Sequence, residues 1–94
     1  MDVPSATEIE KVLRSYLDGD RLASMPRPGR KRLIVLEHVA QVFEPGTRYA
    51  EVEVNAALRV VWPDAAALRR YLVDAGLLSR KDGEYWRSGG PVEV

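Results

Sequence analysis

Residues 67–87 read ALRRYLVDAGLLSRKDGEYWR, and their order decides the fold. Leu68, Tyr71, Leu72 and Ala75 recur at helical spacing, so the first part is an amphipathic helix with Ala66, Arg69, Arg70 and Val73 on its outer side. Gly76 stands where a helix end takes a left-handed residue. Two short runs follow, Leu77 to Arg80 and Glu84 to Arg87. Asp82-Gly83 between them suits a two-residue type I′ turn, whose central residues both need positive φ. That register sets Lys81 opposite Glu84, a favourable cross-strand pair. Trp86 is expected to close the core under the hairpin. Helix, stop and hairpin is the order in which a winged helix presents a recognition helix and its wing.

The preceding segments supply the rest of such a domain. Pro63 breaks the chain, and Asp64 is a good N-cap for the helix just described. Glu51 to Val61 reads as a shorter helix with Val54, Ala57, Leu58 and Val61 inward. Val52, Ala56 and Val60 form its second apolar stripe, which suits either a neighbouring helix or a dimer surface. Arg48 and Tyr49 suit a very short strand. Arg30 to Phe43 reads as a helix with Leu33, Leu36, Val39, Ala40 and Phe43 on one face, widened by Val35 and Val42. Glu37, His38 and Gln41 lie opposite. Ile34 falls with them and is expected to be an exposed contact residue. Pro45 and Gly46 stop the helix.

An extra helix precedes this core. Ser5 with Glu8, and Thr7 with Glu10, both have capping-box spacing. Ile9, Val12, Leu13, Tyr16 and Leu17 then form an apolar stripe, and Asp18-Gly19-Asp20 ends it. The connector RLASMPRPG packs through Leu22 and Met25. The expected fold is therefore mostly α with a small β-hairpin, winged-helix-like, with an added N-terminal helix. Residues 1–21 form the helix and turn that pack on the core, 22–88 the winged-helix-like domain, and 89–94 a flexible tail.

Composition narrows the chemistry. The chain has 94 residues, 14 basic and 14 acidic, one His and no Cys. Such a length makes one domain with a modest core. Without cysteine there is neither a disulfide nor a thiolate metal site. No apolar run has the length of a membrane-spanning helix, and the acidic, polar start is no secretory signal, so a cytoplasmic protein is expected. His38 sits on a polar helix side and reads as a solvated histidine. No Ser lies in a G-x-S-x-G context. The pair Asp18 and Asp20 begins like a calcium loop, but Leu22 stands at its fifth position and no Glu at its twelfth. Neither an enzyme nor a cofactor is expected.

Cations are the remaining candidates. Arg27, Arg30, Lys31 and Arg32 cluster at a helix start, where they either contact phosphates or form a solvated connector paired with acids such as Asp18 and Asp20. Arg69 and Arg70 either meet phosphates in a recognition helix or pair internally, Arg70 with Asp74 at i+4. Ala65, Ala66 and Ala67 offer base edges only methyl groups. A free-standing DNA binder is usually basic, whereas this chain has no net charge. Residues 1–25 hold Lys11, Arg14 and Arg21 against five acids, a balance of −2, and the remainder carries +2.

An ordered set of motifs spans about residues 16 to 87: Pro26 with Arg30 to Arg32, Leu36-Glu37-His38, Phe43 and Tyr49, Glu53 to Asn55, Asp64, Leu68-Arg69-Arg70, Leu72-Val73-Asp74 and Tyr85-Trp86-Arg87. This set resembles a prokaryotic family of domains of unknown function, whose members occur alone and as the C-terminal part of helix-turn-helix transcriptional regulators. The resemblance implies a winged-helix-like fold and an association with transcriptional regulation. The chain departs from the family at Ala65, where a polar or aromatic residue is common, and at Ala50, where a Thr or Ser cap is usual. Residues 1–15 lie outside the resemblance.

Two functional readings follow. In the first, the chain is a non-enzymatic module of transcriptional regulation that touches duplex DNA weakly through Arg30, Lys31, Arg32, Arg69, Arg70, Lys81 and Arg87. In the second, it is a protein-interaction or dimerisation module without nucleic-acid contact, pairing with itself or another regulator through Ile34, Val52, Ala56 and Val60.

Overall fold

The computed structural model describes residues 3–90. Four helices, a two-stranded hairpin and a three-stranded antiparallel sheet enclose one hydrophobic core. Helix α1 (Ala6–Tyr16) begins at Ser5, whose Oγ accepts from the Glu8 amide at 3.1 Å. The reciprocal half of a capping box is missing, because the Glu8 carboxylate is held by Arg30 instead. The Asp18-Gly19-Asp20 segment does more than end the helix. It turns strand β1 (Leu17–Asp18) back onto β2 (Arg21–Leu22), pairing Leu17 with Leu22. Gly19 has φ 63°, which a two-residue hairpin loop with Gly first takes readily. This hairpin straddles the expected boundary at residue 21, and Val12 and Leu22 join the same core.

Helix α2 (Arg30–Ala40) is shorter than expected, with Gln41 to Phe43 in a turn beyond it. Ile34 is only 4 % exposed, whereas Leu33 is 44 % exposed, which reverses the expected faces of both. The cause is α1, which packs against α2. The Glu8–Arg30 pair marks the crossing over the first turn of α2, and Ile34 lies one turn farther along that side. Ile34 is thus a core residue and unavailable as a contact surface. His38, the next turn along, stays exposed.

Strand β3 (Arg48–Ala50) leads directly into helix α3 (Glu51–Val61). Ala50 has no side-chain acceptor for the helix end. Only the other half of the motif forms, with Glu53 Oε1 accepting from the Ala50 amide at 2.8 Å. Helix α4 (Ala65–Asp74) starts as expected, with Asp64 Oδ1 accepting from the Ala67 amide at 3.1 Å. Gly76 follows at φ 76°. Strands β4 (Leu78–Lys81) and β5 (Glu84–Arg87) then pair with Lys81 opposite Glu84, and Asp82 and Gly83 both take positive φ. The hairpin is not free-standing. Strand β3 adds to its far side in the order β3–β5–β4, pairing Tyr49 with Tyr85.

Side-chain alternation along β5 decides which aromatic enters the core. Tyr85 is 2 % exposed and packs inside, so it takes the place expected of Trp86. Trp86 lies on the outer face with the Arg48 guanidinium 3.9 Å from its ring centre. The chain end is anchored to Leu77. Ser88 and Gly89 donate their amides to the Leu77 carbonyl at 3.0 and 3.4 Å. A Cβ on Gly89 would approach the Gly76 carbonyl oxygen to 2.9 Å, so a glycine is needed there. The rest of the tail expected from residue 89, Pro91 to Val94, lies outside the described residues.

Candidate nucleic-acid interface and apolar surface

Tertiary packing divides the seven expected phosphate-binding cations. Arg30 grips Glu8 with two hydrogen bonds of 2.6 and 3.0 Å. The hydrogen bonds from Arg30 hold the Glu8 carboxyl below the ordinary carboxylate range. Arg32 donates from Nε to the Pro26 carbonyl at 2.8 Å and stacks 4.5 Å from the Tyr71 ring centre. It thereby ties the proline connector to α4. Arg87 donates from Nη1 to the Phe43 carbonyl and from Nε to the Gly89 carbonyl, both at 3.2 Å. It joins β5 to the end of α2.

Arg69 is tied most firmly. Its guanidinium donates to Asn55 Oδ1, lies 3.8 Å from Glu51 Oε1, and sits 5.8 Å from the Tyr85 ring centre. Tyr85 donates its hydroxyl to the same Glu51 oxygen at 2.9 Å. One network therefore joins α3, α4 and β5, and it gives the buried tyrosine a partner for its hydroxyl. Glu51 and Asn55 were not among the sequence candidates. Their signal was their position, since both share the inward side of α3 with Val54 and Leu58, where polar groups need partners.

The other three cations, Lys31, Arg70 and Lys81, are exposed and have no partner among the described residues. The expected Arg70–Asp74 ion pair does not form, although Arg14–Glu10 forms one of the same spacing at 2.8 Å. Arg80 on β4 is exposed as well and was not among the expected cations. The β4–β5 turn lies near α3, with Glu51 beside Arg80, Lys81 and Asp82. Arg70 is the chain neighbour of Arg69, which reaches that same Glu51. A small set of free cations thus lies on α4 and the β4–β5 hairpin, interspersed with Asp74, Asp82 and Glu84.

The apolar candidates behave differently. Val52 and Val60 are 73 % and 61 % exposed, and Ala56 between them is exposed. Among the described residues no helix covers this stripe, since α1 packs mainly on α2. Beside Val60 a groove of about 360 Å³ opens between α2 and α3, lined by Val39, Val42, Ala57 and Val61 with Leu17, Asp20 and His38 at its edge. His38 is solvated, and among the described residues no three His, Asp or Glu side chains converge as a metal site. Among the same residues, no helix is long and apolar enough to cross a membrane.

Comparison with curated proteins and with solved structures returns no match. A family does match: uncharacterized proteins conserved in bacteria, DUF2087, over residues 21–87. That stretch holds β2, α2, β3, α3, α4 and the β4–β5 hairpin, and α1 and β1 precede it. On a match that takes in well over half of its length, the chain belongs to the bacterial family DUF2087.

Proposed function

We propose that this chain is a non-enzymatic, winged-helix-like module associated with transcriptional regulation, meeting duplex DNA weakly through its phosphates. The observation that carries the proposal is topological. A winged helix has three helices, a short strand between the first two, and a two-stranded wing after the third. The order α2, β3, α3, α4, β4, β5 repeats this plan, and the return strand of the wing pairs with β3.

The free cations Arg70, Arg80 and Lys81 lie on the helix and wing that such proteins turn toward DNA. They supply phosphate contacts, which position a protein without reading sequence. Ala66 and Ala67 give base edges nothing to hydrogen-bond, so little sequence preference is expected. The test is a fluorescence-anisotropy titration of a labelled 20-base-pair duplex at low and moderate salt. Weak binding that depends on salt and is reduced by Arg70→Ala supports the proposal. No binding at low salt overturns it.

A further inference from the structure

Among the described residues, the outer face of α3 stays exposed. Scattered exposed valines are ordinary on protein surfaces. Here Val52 and Val60 flank Ala56 at four-residue spacing, so the three line one side of the helix. The opposite side, with Val54, Leu58 and Val61, is buried. The patch continues past Val60 into the groove under Val42, which is itself 49 % exposed.

Charge along α3 selects an occupant. Its N-terminal end carries Glu51 and Glu53, while the C-terminal end carries Arg59. Arg59 is exposed and has no partner among the described residues. A second α3 running the opposite way brings Arg59 level with the acidic end, twice, and opposes the two helix dipoles. A parallel second copy sets like charge on like.

We infer that the chain forms a homodimer in which α3 pairs antiparallel with α3 of a second copy, about a two-fold axis at Ala56. Val52 of each copy then lies level with Val60 of the other. Ala56 meets Ala56, and its small side chain lets the backbones approach. Arg59 lies level with Glu53, whose second carboxylate oxygen is not used by the Ala50 amide. A contact of this kind uses the same patch on both copies and closes at two. A contact through one helix face is small beside the roughly 800 Å² per partner of a standard interface, so a dissociation constant of about 10 to 100 µM is expected.

The dimer does not depend on DNA contact, so its test is run without nucleic acid. Sedimentation equilibrium of the full chain should show a monomer–dimer equilibrium. Val60→Glu should weaken it at least about tenfold by placing a carboxylate in an apolar seam, with an unchanged circular dichroism spectrum. Since the chain has no Cys, engineered cysteines report the geometry. Under mild oxidation Ala56→Cys should cross-link to itself. Val52→Cys should cross-link to Val60→Cys in a mixture and not to itself. A strictly monomeric chain, a dimer indifferent to Val60→Glu, or Val52→Cys cross-linked only to itself each overturns the inference.

Discussion

In the proposed contact with duplex DNA, the number of cations left free by the fold sets how steeply affinity falls with salt. Each phosphate contact releases condensed counterions, and the slope of log K against log salt is about −0.9 per contact. In the proposed DNA contact, the exposed Arg70, Arg80 and Lys81 would supply three phosphate contacts from α4 and the β4–β5 hairpin. The expected slope is then about −2.7, so a rise from 50 to 200 mM salt weakens binding about 40-fold. Had all seven cations first marked in the sequence reached phosphates, the slope would be about −6.3 and the loss about 6,000-fold. Arg70→Ala should reduce the slope to about −1.8 and the loss to about 12-fold. Three contacts also limit the affinity itself, to a dissociation constant of about 10⁻⁴ M at physiological salt, the weak end of non-specific binding. Anisotropy at four salt concentrations, for the wild type and Arg70→Ala, measures both slopes. A wild-type slope near −6 would refute the reasoning, because it requires contacts from cations that the fold ties up or that lie away from α4 and the hairpin. An Arg70→Ala slope equal to wild type would refute the assignment of that residue.

Four further outcomes follow from the contacts. Ile34→Asp should destabilise the chain by about 3 kcal/mol or more in urea denaturation, through an unpaired carboxylate in the core, whereas Leu33→Asp should change it by less than about 1 kcal/mol. Phe43→Ala should cost about 3 to 5 kcal/mol, since its ring is buried and meets Tyr49 edge-on at 5.2 Å. Arg69→Ala should cost about 1 to 3 kcal/mol by leaving Asn55 and Glu51 without their cation, and Arg69→Lys should not restore it fully, since an ammonium lacks the planar fork. The Glu8 carboxyl has its pKa lowered by Arg30 in the folded chain, so its contribution is complete above the ordinary carboxylate pKa and fades as pH falls through the lowered folded value. Acid titration of Glu8→Gln against wild type by circular dichroism should therefore show the two curves converging at low pH.

Much of the architecture was legible because it rests on interactions within a few residues. Ser5 and Asp64 bond amides three residues ahead, and the Asp82-Gly83 turn needs only its own positive φ angles. The β4–β5 hairpin, the α3 and α4 boundaries and the Lys81–Glu84 register could all be read this way. Strand β3 was legible as a short extended segment, but not its partner, because Tyr49 and Tyr85 are brought together by a chain reversal of 36 residues. The β1–β2 hairpin was missed since two-residue strands carry no periodic signal.

The sequence by itself determined where helices start, where they stop, and how the hairpin turns, because caps and turns are local hydrogen-bonding choices. It also determined that α3 has two apolar sides. Only the tertiary structure decided what those sides and charges face. Alternation placed Tyr85 and Trp86 on opposite faces of β5, yet the packing of α3 and α4 beneath the sheet chose Tyr85 for the core. Helical periodicity set Ile34 among polar neighbours, yet α1 crossing the first turn of α2 buried it. Arginine is long enough to reach a phosphate or a distant carbonyl equally well. Whether it remains free depends on acceptors that folding brings near, as with Glu8 for Arg30 and Asn55 for Arg69. Local pattern is a property of the chain, whereas partnership across 14 or 22 residues exists only once the core has closed.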